Sequence, residues 1–367
     1  MTTHQKVQSG TFPLNAWYAA AYDVELKREL LPRTICKQKI VMYRQLNGTA
    51  VALEDACWHR LLPLSKGTLA GDTVICGYHG LTFNPSGRCV EMPSQETMNP
   101  SACVRSYPVA EKHRLVWLWP GDPTLADESK IPDLHWNDDS EWAGDGQTIH
   151  AKCDYRLVID NLMDLTHETF VHGSTIGHRE IAEAPFEVTY DDKFVTVTRW
   201  MTDLNPPAFW KGALKHHTGW DGNVDRWQIV RFEAPNTVTI DVGVAKTGTG
   251  APEGDRSQGV NGFVLHTLTP ETETTCHYFW SICRNYRLSD QATTQNHKAA
   301  VHGIFKEDEN ILEAQQQAIL AHPEREFYNL NIDAGAMWSR RLTNRLIDQE
   351  QSHLSLVSNV IPIVAAT

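Results

Sequence analysis

Two short stretches hold most of the residues that can do chemistry: "CWHR" at 57–60 and "CGYHG" at 76–80. Cys57 and His59 stand two positions apart and Cys76 and His79 three, so each loop offers one thiolate and one imidazole. A zinc finger sorts its ligands the other way, Cys with Cys and His with His, at C-x2-4-C and H-x3-5-H spacing. Loops of mixed type suit two metals lying side by side, with each loop reaching across both. The two cysteines then take one metal and the two histidines the other.

Thiolates on one iron and neutral imidazoles on the next make the ligand set of a Rieske [2Fe–2S] centre, whose imidazoles raise its potential above that of an all-thiolate cluster. Zinc is the rival occupant, since it accepts both ligand types. Gly77 and Gly80 around the second pair, and Gly67 before the intervening strand, permit close backbone approach. Such loops can aim amide N–H groups at cluster sulfurs.

A second group lies in "DNLMDLTHETFVH", 160–172. His167 and His172 are five apart, and Asp164 precedes the first by three. The zincin pattern H-E-x-x-H fails by one residue, because the position it needs is Val171. Five residues put two histidines about 140° apart on an ideal helix. They converge on one metal only if the helix ends or widens there, and Gly173 is a candidate terminator. Two His and one carboxylate, with positions left open, are the usual hold on a non-haem Fe(II) that activates O2. For the carboxylate, Asp308 in "FKEDENILEAQQQ" is the choice, with Glu307, Glu309 and Asp333 as rivals that helical position does not separate.

These groups need a frame. Residues 13–122 read as short strands and turns: "KIVMYRQ" and "TAVALED" flank Asn47-Gly48, "VICGYHGLTFNPSGRCV" turns at Pro85-Ser86-Gly87, and "HRLVWLWPGDP" ends a strand. This is a small all-β domain with the Cys–His pairs in its loops. Residues 123–150, polar and rich in Asp and Gly, read as a connection. In 151–355 the pattern changes to a helical rhythm at Leu157, Val158, Leu162 and Leu165, then alternating stretches, then two more helical ones. Strands enclosed between helices predict an α+β domain with a curved sheet. "GTGAPEGDRSQG" at 248–259 reads as a mobile loop.

The formal net charge of -12, with no basic stripe, argues against a nucleic-acid binder. No apolar run approaches the about 18 residues of a membrane span, the N-terminal stretch lacks a signal pattern, and "VSNVIPIVAAT" is short and carries a proline. A reducing cytoplasm is the expected setting, where cysteines serve as ligands or core residues rather than disulfides. Cys36, Cys89, Cys103, Cys153, Cys276 and Cys283 are therefore expected as small buried hydrophobes. No G-x-G-x-x-G fingerprint for NAD or flavin is present, so electrons must come from another protein.

On these motifs the chain resembles the Rieske non-haem iron oxygenases over essentially its whole length. "NAWYAA", "CGYHGL", "DYRLVIDNLMDLTHETFVH", "VDRWQIVRF" and "LNIDAG" with the "SRR" after it are similar to the vanillate O-demethylase branch of that family. The resemblance implies an N-terminal Rieske domain and a catalytic domain of helix-grip type, its curved antiparallel sheet gripping a helix. It implies a [2Fe–2S] cluster on Cys57, His59, Cys76 and His79, a mononuclear Fe(II) on His167, His172 and Asp308, and O2 as co-substrate. It also implies a homotrimer in which Asp164 bridges His79 of one copy and His167 of the next, and a separate flavin- or ferredoxin-type reductase.

The activity so implied is oxidative O-demethylation of vanillate or a similar methoxybenzoate, giving the phenol (protocatechuate) and formaldehyde. The alternative is ring hydroxylation, N-dealkylation or methyl oxidation of another aromatic or small molecule. The resemblance makes His266 a substrate contact, and His266, Arg199 and His217 are candidates to clamp an aromatic carboxylate. One departure is Trp58, where the family usually has proline between the first Cys and His. It removes no ligand, but its bulk and N–H donor bear on loop rigidity and docking.

Overall fold

A computed structural model describes residues 12–93, 95–173 and 184–358. The N-terminal stretch read for a signal pattern lies mostly outside them, as does nearly all of "VSNVIPIVAAT". The first part of the chain is built from β1 (Tyr18–Tyr22), β2 (Leu31–Ile35), β3 (Gln38–Arg44), β4 (Ala50–Glu54), β5 (Thr68–Ala70), β6 (Thr73–Ile75), β7 (Thr82–Phe83), β8 (Cys89–Glu91), β9 (Val109–Lys112) and β10 (Leu115–Leu118). They form three antiparallel sheets in the orders β1-β10-β9, β2-β3-β4 and β5-β6-β7-β8. Val41, Tyr43, Leu53, Leu64, Val74 and Phe83 close a core beneath the last of these, and Cys57 and Cys76 belong to it.

The second part holds one seven-stranded antiparallel sheet: β11 (Ala143–Ala151), β12 (Phe186–Tyr190), β13 (Phe194–Leu204), β14 (Val224–Glu233), β15 (Thr237–Lys246), β16 (Gly259–Pro270) and β17 (Cys276–Arg284), in the order β11-β17-β16-β15-β14-β13-β12. Alternation gives this sheet two faces. Leu265, Phe279 and Cys283 on the outer face pack with Trp17, Trp117 and Trp119 from the first part, so the two parts share a core. The Thr269 hydroxyl donates to the carbonyl of Ala19 at 2.6 Å across that seam.

The inner face is set by register. Arg199, Gln228, Val242 and Gly262 form one row, Val197, Val230, Ile240 and Val264 the next, and Val195, Phe232, Val238, His266 and Trp280 a third. The helices are α1 (Tyr155–Leu162), α2 (Glu168–Val171), α3 (Ala208–Thr218), α4 (Gln291–Ala321) and α5 (Ala334–Ser358). Leu157, Val158, Phe305, Leu312 and Leu342 from α1, α4 and α5 join the inner-face aliphatics in the main core. Asp154 caps α1, accepting from the Arg156 amide at 2.9 Å, and Arg340 of α5 holds Asp160 through Nε at 2.9 Å. No helix of the described residues is long and apolar enough to cross a membrane.

Four expectations need correction. Residues 143–150, read as the end of a connection, belong to β11. Its glycines suggested a linker, but a Cβ on Gly146 would lie 2.0 Å from the Trp280 carbonyl, so packing against β17 demands glycine there. The 248–259 segment is anchored rather than free: Ala251 is fully buried, and Arg256 pairs with Asp241 at 2.6 Å and lies over the Trp227 ring. Cys103 is exposed, unlike the other five cysteines expected in the core. His217 lies exposed on α3, because the "AFWKGALKHHT" stretch is a helix that the alternation did not reveal.

Candidate metal centres

The two Cys–His loops are built alike. The Cys57 amide donates to the Leu62 carbonyl (2.8 Å) and the Leu61 amide to the Cys57 carbonyl (2.9 Å); Cys76 repeats this with Leu81 (2.8 Å) and Gly80 (3.1 Å). The fourth residue after each cysteine is left-handed, Leu61 at φ 57 and Gly80 at φ 75. The β5–β6 hairpin joins the loops, and a Cβ on Gly67 would lie 2.1 Å from the Ile75 carbonyl, so the loops could not close on any other residue. Gly77 likewise passes Lys66, where a Cβ would meet the carbonyl at 2.7 Å.

This architecture puts the thiols inside and the imidazoles outside. Cys57 and Cys76 are 1% and 2% exposed and adjacent to each other, while His59 and His79 are exposed with ring centroids 4.6 Å apart. Burial pushes the Cys57 thiol up to about 11, against the pull of the His59 and Arg60 amides directed at its sulfur. Buried sulfurs met by backbone N–H groups, with two imidazoles at the rim, fit a [2Fe–2S] cluster whose histidine end faces the surface. Trp58, Leu61 and Tyr78 stand exposed around that rim.

The helical reading of 155–172 holds only in pieces. α1 stops at Leu162, and α2 is a single turn with His167 at its start and His172 at its end. The break supplies what two histidines five apart require, without a special conformation at Gly173. His167 Nδ1 donates to the Asp164 carbonyl at 2.6 Å, and His172 Nδ1 to Glu307 at 2.6 Å. Both Nε2 atoms are thereby left for a metal. They point at one Asp308 oxygen, 3.5 Å from His167 and 3.2 Å from His172, and the three ligand atoms lie within 4.8 Å of one another. Such separations suit an ion bound by all three at ordinary bond lengths, with one side open.

The surrounding groups separate Asp308 from its rivals. Glu307 takes the back of His172, Glu309 pairs with Lys306 at 2.8 Å, and Asp333 accepts from the Leu330 amide at 2.6 Å. Asn161, which sequence reasoning missed, donates to the ligating oxygen of Asp308 at 3.1 Å. Burial opposes charge on His172, but Asp308 and Glu307 outweigh it and its pKa is raised. Asp164 accepts from the amide and hydroxyl of Thr166 at 2.6 and 2.7 Å, and its other oxygen lies 3.9 Å from His167 Nδ1. Asp164 and His167 line a surface groove of about 750 Å³ between α1, α4 and α5.

His266 is fully buried on the inner face, and Phe305 stands 5.3 Å from its ring, one turn before Asp308 on α4. The Tyr278 hydroxyl lies 2.7 Å from His266 Nδ1, while Nε2 has no partner. Burial lowers the imidazole to about 3, so it is neutral. A buried hydroxyl with one partner is best satisfied as the donor, which places the imidazole proton on Nε2. Directly across the strand pair, the buried indole N–H of Trp280 also has no acceptor.

Known proteins share this frame. Residues 16–108 match the Rieske [2Fe-2S] domain, and residues 151–349 match the vanillate O-demethylase oxygenase C-terminal domain. The chain is 44% identical to the vanillate O-demethylase oxygenase subunit of Pseudomonas sp. (strain HR199 / DSM 7063), over 93% of this chain and 96% of that one. It is 41% identical to a toluene-4-sulfonate monooxygenase system iron-sulfur subunit of Comamonas testosteroni, over 92% of this chain and 98% of that one. The crystal structure of dicamba monooxygenase bound to 3,6-dichlorosalicylic acid superposes with a TM-score of 0.85 at 33% identity, covering 93% of this chain and 99% of that one. With both halves matched in order along one chain, the protein belongs to the Rieske non-haem iron oxygenases, in the branch defined by the vanillate O-demethylase oxygenase C-terminal domain.

Proposed function

We propose that this chain is the terminal oxygenase component of an aromatic O-demethylase acting on vanillate or a similar methoxybenzoate. The observation that carries the reading is the convergence of His167, His172 and Asp308 above the inner face, in a chain spanning 96% of a vanillate O-demethylase oxygenase subunit. Residues 13–122 form the electron-receiving domain, 123–142 lead into the sheet, and 143–355, from β11 onward, form the catalytic domain. Cys57, His59, Cys76 and His79 hold the Rieske cluster, and His167, His172 and Asp308 hold the iron. When bound, the cluster supplies single electrons and the ferrous ion supplies O2 activation.

The chain's own residues position and exclude. Asp164 and Glu307 orient the two ligand histidines from behind, and Asn161 steadies Asp308. His266 donates from Nε2 to a substrate oxygen. The buried inner face keeps bulk water from the reacting methyl. The net reaction is ArOCH3 + O2 + 2e⁻ + 2H⁺ → ArOH + CH2O + H2O, through a hemiacetal that collapses to phenol and formaldehyde. The electrons come from a separate flavin- or ferredoxin-type reductase. In a homotrimer, the exposed His79 rim of one copy docks at the groove of the next, so that Asp164 links His79 to His167.

Single turnover tests this without the reductase. The chemically reduced holoprotein is given vanillate and then O2, and protocatechuate and formaldehyde are assayed. Both in near-stoichiometric yield are expected. Unchanged vanillate, with cluster and iron intact, would reject the substrate. The 41% identity to a toluene-4-sulfonate monooxygenase subunit favours monooxygenation of an aromatic sulfonate as the second reading, and toluene-4-sulfonate belongs in the same assay.

A further inference from the structure

Two buried guanidinium groups on the inner face lack the acceptors they need. Arg199 on β13 is fully buried; its Nη1 reaches Gln228 only at 3.4 Å, and its Nε and Nη2 have no partner. Arg226 on β14 is 5% exposed, and its Nη1 is likewise without a partner. The register places both on one face, since Arg199 pairs with Gln228 and Met201 with Arg226. The carboxylate beside them is Glu168 of α2, whose Oε1 accepts from Gln228 at 2.6 Å and whose Oε2 bonds to nothing. Asp164 also acts on Arg199, but one of its oxygens is engaged by Thr166.

Two cations beside one buried anion leave a positive charge that burial makes costly. Burial depresses both arginines, and the Arg199 charge lowers Arg226 further against the pull of Glu168. Glu168 directly follows His167, so the anion these arginines face belongs to the same turn as the mononuclear site. Between it and the His266–Trp280 end, Ile240 and Val242 remain only half-buried at the centre of a helix-covered sheet. Gly262 next to Val242 adds no side chain there. An apolar floor with a cationic end fits an aromatic ring bearing an oxyanion.

We propose that Arg199 and Arg226 form the anion-binding end of the substrate cavity, taking the ring carboxylate of an aromatic acid whose ring lies over Ile240 and Val242. This deepens the demethylase reading, on which it rests for the substrate, and makes charge at the ring the selected feature. Arg–carboxylate pairing supplies the planar, charge-assisted contact that neutral donors lack.

The test uses the holoenzyme and a matched pair of probes, benzoate and benzamide, with dissociation constants from equilibrium dialysis. The wild type is expected to hold benzoate at least about tenfold more tightly. R199M and R226M, with cluster absorbance and iron content retained, should each erase that preference. Equal wild-type affinities, or a preference that survives both substitutions, would overturn the proposal. Should the Met variants lose their metals, R199K and R226K decide: a weakened preference supports the site and an unchanged one overturns it. Turnover keeps the two readings apart. If vanillate is demethylated yet benzamide binds as well as benzoate, only the anion site fails. If benzoate is preferred but vanillate is untouched, only the demethylase reading fails.

Discussion

At the residue scale, each histidine proposed to hold the iron is committed through Nδ1 to the chain itself, one to a backbone carbonyl and one to a carboxylate. That difference predicts different sensitivities. Asp308→Ala removes the oxygen on which both Nε2 atoms converge, so the protein should lose one iron of three and all turnover while keeping its cluster absorbance. Metal analysis checks this, and three irons retained would dismiss Asp308 as a ligand. Glu307→Ala leaves the ligands in place but frees the back of His172. Ferrous affinity should fall about 10- to 100-fold, measured by competition with a chelator, and Glu307→Gln should recover part of it because an amide oxygen still accepts from Nδ1. Full affinity in the Ala variant would reduce Glu307 to a surface acid. The "KEDE" run held no signal to separate these neighbours, because their roles depend on which side of α4 meets α2.

At the element scale, the two centres show two ways for a chain to bring distant ligands together. The cluster loops do it through a short hairpin whose closure allows no Cβ at Gly67. Gly67→Ala should therefore cost about 1–3 kcal/mol or more locally and impair cluster assembly. The iron of the catalytic part should remain, so a reconstituted variant would show low visible absorbance per mole of iron. A full cluster in that variant would mean the hairpin can shift. The catalytic site instead relies on a broken helix. Ligand spacing made both centres legible in sequence, because metal geometry constrains residue types directly, and alternation exposed the strands β12–β17. β11 escaped because its glycines answer to β17, more than a hundred residues away. Arg199 is legible in sequence as a candidate carboxylate clamp, but Arg226 and Glu168 beside it escaped because register, not local pattern, puts the three together.

For the molecule as a whole, the large sheet holds a neutral histidine on each face, and that ties its stability to pH. His266 lies under the helices, and burial lowers it to about 3. His277 faces the first part of the chain, where its Nε2 lies 3.2 Å from the Thr34 carbonyl. Burial first, then Arg33 and His150, lower it to about 4 against the opposing pull of Glu271 and that carbonyl. An unfolded histidine titrates near 6.5, so on acidification the unfolded chain takes up protons that the folded chain refuses. Stability is thus fully present above about pH 6.5 and declines as pH falls toward 4, by up to about 1.4 kcal/mol per pH unit for each histidine. Carboxylates add their own dependence over the lower part of this window, so the variant comparison isolates the effect. His277→Asn should unfold with a pH slope shallower by one proton between pH 6.5 and 4.5, with both proteins compared at equal metal content. Coincident slopes would show that His277 takes up its proton in the folded state. The seam between the two halves would then not be a source of acid sensitivity.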